Sequence, residues 1–274
     1  MILVTGARGN VGGELLRQLS AGGHAVRALT RDAARAGLPA GADVAEGDFG
    51  TAGSLAAALA GADSLFLMTS GHETAVLREA VRAGVRRVVL LSSMAATTRP
   101  QSLIGRMHRE AELAVEASGV EWTFLRPGQF ASNTLAWRSQ LAAGDVVRTP
   151  FADVALPAVH PGDIAAVART ALTRNGHAGQ AYPLSGPEPV TPVEQVAAVG
   201  EAIGRKLRHE EIGPEQAAAA MAAHMPAPIV AASLEFLGSP TPEETRPVPT
   251  VEKVTGTPAR TFAQWARDNA DGFR

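Results

Sequence analysis

The first residues able to do chemistry are glycines. The apolar run MILVT leads directly into Gly6-Ala7-Arg8-Gly9-Asn10-Val11-Gly12, and an amphipathic helical pattern from Val11 to Leu19 follows at once. A strand, tight turn and helix in that order gather backbone N–H groups and the positive end of a helix at one point. Glycines leave no Cβ in the way, so a pyrophosphate can approach closely. The spacing is G-x-x-G-x-x-G rather than G-x-G-x-x-G, so the flanking strand and helix, more than the glycines, mark a dinucleotide site. Which nucleotide is set at the end of the second strand, HAVRALTRD. An arginine there accepts a 2′-phosphate, whereas an acidic residue holds a ribose 2′-hydroxyl. Arg31 and the loop's Arg8 favour NADPH; Asp32, about 20 residues past the loop, is the feature that favours NADH.

Those groups must be held by regular elements. Short apolar runs alternate with helical patterns through the first half: MILVT, then Val11 to Leu19; HAVRAL; DVAEG, then Ser54 to Leu59; SLFLMT, then Glu73 to Arg82; RRVVLLSS. Such alternation implies crossover units and a doubly wound parallel α/β sheet. RRVVLLS is almost wholly apolar after its arginines, as a central strand covered on both faces should be. A helix is expected from Ser102 to about Ser118, ended by Gly119, and then a strand, VEWTFLRP, stopped by Pro127. Past Gly144 proline and glycine become frequent. Asp163 is expected to cap IAAVARTAL, Thr191 to cap the helix that opens at Pro192, and Pro214 to open an alanine-rich helix; Gly238 to Thr250 reads as a loop. Residues 1–150 are thus expected to form the dinucleotide-binding domain, with some later segments returning to it, and 151–274 a smaller substrate lobe.

Composition narrows the partners. The 274 residues hold no cysteine, which rules out disulfides and thiolate chemistry, and no metal centre is expected. A net charge of -2 with signs well mixed gives no reason to expect nucleic acid or an anionic membrane. No apolar run approaches the ~20 residues of a membrane span, so the expectation is a soluble cytoplasmic protein with a small-molecule partner. Oligomeric state is not legible.

The motifs taken together resemble the short-chain dehydrogenase/reductase superfamily, and within it the atypical NmrA-like group that includes NADPH-dependent quinone reductases. The matching pieces are TGARGNVG, VRALTRD, GDF at Gly47 to Phe49, FLMTS at Phe66 to Ser70, VVLLSS at Val88 to Ser93, EWTFLRPGQFASN at Glu121 to Asn133, DIAAVA at Asp163 to Val167 and the terminal TFAQWARDNADGF. The resemblance implies a Rossmann sheet with a small carboxy-terminal substrate lobe. It places Asp48 and Phe49 by the adenine, Met68, Thr69 and Ser70 along the ribose and phosphates, and Ser92, Ser93 and Met94 near the nicotinamide. Phe130 and Trp137 join Met94 as apolar walls for a flat substrate.

The chain departs from the superfamily at the catalytic pair. Most members carry a tyrosine and a lysine four residues apart on one helical face, the tyrosine as proton donor and the lysine as its activator and ribose ligand. Tyr182 is the single tyrosine here, and four residues beyond it stands Gly186. By position, Ile104 and His108 replace the pair. His108 can hold the nicotinamide ribose, donate the proton, or be an ordinary histidine beside Glu112; Ser93 is the other polar candidate, better suited to orient an oxygen than to ionise. Without a phenolic acid, which contributes on the order of 10²–10⁴-fold, the suitable acceptor is one whose nascent anion is already delocalised: a quinone or polycyclic aromatic ketone rather than a sugar or aliphatic ketone. A nonenzymatic redox sensor that binds the nucleotide and a protein partner is the alternative.

Overall fold

The computed structural model describes residues 1–32, 43–51 and 53–273. Among these residues nine strands are formed: β1 (Ile2–Val4), β2 (Val26–Thr30), β3 (Asp43–Glu46), β4 (Ser64–Met68), β5 (Arg87–Leu91), β6 (Glu121–Pro127), β7 (Val146–Thr149), β8 (Gln180–Leu184) and β9 (Arg208–Glu211). Seven make one sheet in the order β3-β2-β1-β4-β5-β6-β8, and β7 pairs with β9 apart from it. Every pairing in the large sheet is parallel. The strand order reverses between β1 and β4, so the carboxyl ends of these two strands flank the crevice where open α/β sheets bind ligands.

Both faces are covered at the centre of the sheet, which is why β1, β4 and β5 read as nearly continuous apolar runs. On one face Val11, Leu15, Leu16 and Leu19 of the helix Asn10–Ala21 pack with Ile164, Val167 and Ala171 of the helix Pro161–Thr173 against Val4, Phe66, Val89 and Leu125. On the other, Leu59, Val76, Leu77 and Val115 cover Leu3, Leu65, Leu67 and Leu90. The helix Pro161–Thr173 and β8 lie beyond residue 150 yet complete these layers. A third cluster, with Trp137, Leu141, Val147, Val199, Phe262 and Trp265, is the core of the carboxy-terminal part. No helix among the described residues is long and apolar enough to cross a membrane.

Thr191 caps its helix through a reciprocal bond with Glu194, and Pro192 and Pro214 take first helical positions as expected. Two expectations fail. Asp163 does not cap: the helix begins at Pro161, and His160 Nδ1 accepts the Gly162 N–H at 2.8 Å. Proline is pre-set for the first helical position, so the start moves earlier, and the buried Asp163 turns to Arg260, accepting from its backbone N at 2.7 Å and its guanidinium at 3.0 Å. The segment from Gly238 to Thr250 is not all loop, since a turn of helix forms at Pro242–Thr245 and another helix starts at Thr250. A tertiary contact holds the former: the fully buried Glu244 carboxylate accepts two bonds from Arg99, each 2.8 Å, and one from Thr98 at 2.7 Å.

Candidate cofactor and reduction site

The turn after β1 is built for an anion. Thr5 Oγ1 accepts the Met68 N–H at 2.9 Å and ties the ends of β1 and β4 together at the switch point. Gly6, at φ 62°, reverses the chain in a conformation few other residues tolerate, and its carbonyl accepts the Gly9 N–H at 2.8 Å. Gly9 is the N-cap and has no side chain to offer the helix; the first N–H to bond back is that of Gly13, to Gly9 O at 2.9 Å. The N–H groups of Asn10, Val11 and Gly12 therefore lack intrahelical acceptors. A Cβ on Gly12 would lie 2.3 Å from Gly6 O, so only glycine lets the turn close. Open donors, a positive helix end and no side chain over them fit a pyrophosphate. Val11 can contribute only backbone, because its side chain is in the core.

Arg8 and Arg31 are both exposed, and neither makes an ion pair among the described residues. Asp32 folds its backbone onto Thr30 Oγ1. Asp48 closes a local turn, its carboxylate accepting from the Gly50 N–H at 2.7 Å, while Phe49 packs half-buried on the core beside it. Met68 is 41% exposed and lies against Gly6, forming a floor beside the loop. Ser70 has less to give than the resemblance implies: its N–H and its hydroxyl both donate to the buried Glu73 carboxylate.

The helix Leu103–Ala117, capped by the Ser102 hydroxyl at 2.9 Å from the Gly105 N–H, sets positions 104 and 108. Gly105 faces the Arg99 carbonyl, which a Cβ would approach to 2.0 Å, so this helix is seated close against the segment after β5. Ile104 is half-buried. His108 turns toward β4, its Nδ1 3.1 Å from Thr69 Oγ1, and burial pushes its imidazole pKa below the ordinary value in spite of the nearby Glu112 and Glu73 carboxylates. The ring is therefore neutral at pH 7. Ser93 Oγ accepts the Ala95 N–H at 3.2 Å, and its own proton has no acceptor among the described residues. Among the described residues the site thus offers Ser93 as a neutral O–H donor with an uncommitted proton, and no acid.

Three residues depart from their expected places. Ser92 is buried and its hydroxyl donates to Glu112 at 2.7 Å, which commits its proton to that carboxylate. Trp137 lies in the core of the carboxy-terminal part with Trp265 and Phe262, where it packs rather than lines an open pocket. Met94 is also buried, whereas Phe130 is half-buried, packed on the sheet's core cluster. Sequence reasoning placed Glu112 beside His108 but missed its role behind the site. Glu112 is fully buried, accepts two bonds of 2.8 Å from Arg126 and one of 3.0 Å from Arg109, and so joins this helix to β6. Burial would raise its pKa, but the Arg126 and Ser92 bonds outweigh that and hold it below the usual carboxylate value. Arg126, directly after the buried run Thr123 to Leu125 in β6, was the available signal. A cavity of about 300 Å³ beside Asn10 includes neither Ser93 nor His108; of its charged lining residues Arg17 pairs with Glu14, Arg260 with Asp163 behind the wall, and Asp268 faces His160 at 3.5 Å.

Against known proteins, the sequence profile of an NAD(P)H-binding family matches residues 6–175, which include the glycine loop, Arg31, Ser93 and His108. The chain belongs to that family. It is 42% identical to the (4-alkanoyl-5-oxo-2,5-dihydrofuran-3-yl)methyl phosphate reductase of Streptomyces griseus, an alignment covering 100% of this chain and 99% of the relative. It is 37% identical to the NAD(P)H azoreductase of Xenophilus azovorans, over 100% and 99%. The NADPH-dependent quinone oxidoreductase of Escherichia coli superposes with a TM-score of 0.81 at 26% identity, over 98% of this chain and 99% of that one, and has also been solved with NADPH. The chain is an NAD(P)H-dependent oxidoreductase with a Rossmann-type parallel sheet, as the NmrA-like resemblance implied.

Proposed function

We propose that the protein is an NADPH-dependent reductase that delivers hydride to an electron-poor conjugated acceptor, a quinone or a polycyclic aromatic ketone, without a protein acid. The observation that carries the reading is the polar inventory of the site: Ile104 stands where a phenol would, His108 is neutral, and Ser93 has one free hydroxyl proton. A bound nicotinamide nucleotide supplies the hydride. The unsatisfied N–H groups at Asn10 to Gly12 hold its pyrophosphate, and Arg8 and Arg31, exposed and unpaired among the described residues, take the 2′-phosphate. Ser93 donates a hydrogen bond to the acceptor oxygen, where negative charge grows. A serine hydroxyl does not ionise near neutrality, so the substrate must delocalise that charge itself. The names of the relatives support this, because an acylated dihydrofuranone, an azo compound and a quinone are all conjugated acceptors.

Oxidation of NADPH followed at 340 nm tests the reading. Turnover is expected with quinones and extended aromatic ketones and not with cyclohexanone; the reverse preference would overturn it. Replacing Arg31 with alanine should raise the KM for NADPH by about tenfold or more, since a charge-assisted contact is lost, and leave NADH within about twofold. Equal losses for the two cofactors would place the 2′-phosphate elsewhere.

A further inference from the structure

The hydrogen bonds around His108 fix more than its position. Thr69 Oγ1 lies 3.1 Å from the Leu91 carbonyl oxygen and 3.1 Å from His108 Nδ1. A carbonyl only accepts, and a hydroxyl has a single proton. That proton goes to Leu91, so the contact with the ring is made by Nδ1–H donating to Thr69. A neutral imidazole with its proton on Nδ1 presents a bare lone pair at Nε2. Nε2 has no partner among the described residues and is not sealed from solvent, and the ring sits at the carboxyl ends of β4 and β5.

We propose that Thr69 is a positioning residue that locks His108 in the Nδ1–H tautomer, so that Nε2 serves as a hydrogen-bond acceptor for a hydroxyl of the nicotinamide ribose. This rests on the reading that the cofactor lies along the ends of β4 and β5. It inverts the sense of the contact expected from the superfamily, where a lysine ammonium can only donate. Here the ribose hydroxyl is the donor, and the side chain at 108 holds no proton that could pass to a substrate from Nε2. The relay has a fixed direction, from imidazole to threonine to backbone, because the Leu91 carbonyl anchors its far end within β5. Thr69 thereby does two things at once: it orients the ring, and it removes the ring from acid catalysis.

Nitrogen-15 NMR of histidine-labelled protein at pH 8, without cofactor, reads the tautomer directly. The expected spectrum of the wild type has His108 with a protonated Nδ1 and a bare Nε2. In Thr69→Val no acceptor remains at Nδ1 and the proton should move to Nε2, while Thr69→Ser should restore the wild-type pattern. Addition of NADP⁺ should then shift the wild-type Nε2 resonance, and the KM for NADPH should rise about five- to tenfold in Thr69→Val with kcat within about twofold. A proton on Nε2 in the wild type, or a tautomer indifferent to Thr69→Val, overturns the proposal. So does an unshifted Nε2 when NADP⁺ perturbs the glycine-loop amides. If NADP⁺ leaves those amides unperturbed as well, the cofactor reading has failed, and the ribose acceptor role falls with it while the tautomer result stands separately.

Discussion

At the scale of single residues, the reduction site divides binding from chemistry between two side chains. His108, neutral through burial and proton-locked toward Thr69, can hold a ribose; Ser93, with an uncommitted hydroxyl proton, can stabilise charge on a substrate oxygen. Replacing each should therefore move a different constant. His108→Ala should raise the NADPH KM by about fivefold, the worth of one neutral hydrogen bond, with kcat little changed and the pH profile unaltered in shape. Ser93→Ala should lower kcat by about ten- to a hundredfold, because its bond strengthens as the oxyanion forms, and leave the NADPH KM where it was. Steady-state kinetics with one quinone substrate measures both. A collapse of kcat beyond about a hundredfold in His108→Ala at saturating NADPH would instead mark it as a proton donor.

At the scale of elements, the helix Leu103–Ala117 positions His108 only because Glu112, one turn further on, binds it to β6 through Arg126 and to the end of β5 through Ser92. Glu112→Ala would strand the Arg126 guanidinium, whose side chain is only 19% exposed, and a broken ion pair of this kind costs about 3–5 kcal/mol. Chemical denaturation should record a loss of that order. A loss below about 1 kcal/mol would mean that water replaces the carboxylate freely. What the sequence reveals of such elements depends on where their stability comes from. The helices at Asn10–Ala21, Glu73–Arg82 and Leu103–Ala117 carry their own apolar period, the last also its Ser102 cap, and they appear in the sequence nearly as they appear in the fold. The turn of helix at Pro242–Thr245 is too short to be stable alone; Arg99, 145 residues away, holds it, and no local pattern announces that contact. The glycine loop was legible for the same reason as the long helices, since strand, turn and helix are adjacent in sequence. The Thr69–His108 and Ser92–Glu112 bonds span 39 and 20 residues, and the sequence gives the types of those groups without their pairing.

At the scale of the whole molecule, the buried groups that shape the site also set how the fold responds to acid. Burial pushes His108 below the ordinary histidine value of 6.5, and it does the same to His160. Each binds a proton more readily in the unfolded chain, so the unfolded state holds more protons as the pH falls below about 6.5, and stability drops through that window. Glu112 acts lower on the scale. The Arg126 and Ser92 bonds overcome the effect of burial and hold its folded-state pKa below 4.5, so the stability it contributes is present above that value and is lost as the pH falls through the folded pKa. Glu244, held down by Arg99 and Thr98 against its own burial, adds to the same acid limb. Stability should therefore fall in two stages on acidification, the first belonging to histidines and the second to carboxylates. Melting temperatures of the cofactor-free protein between about pH 8 and pH 2 measure this. The His108→Gln variant should have a shallower first stage, with a residue left from His160, and an unchanged second stage. An identical first stage in wild type and variant would show that His108 takes up its proton equally well in the folded and unfolded chain. The ring would then charge without cost near neutrality, and the assignment of His108 as a neutral acceptor at the ribose would lose its physical basis.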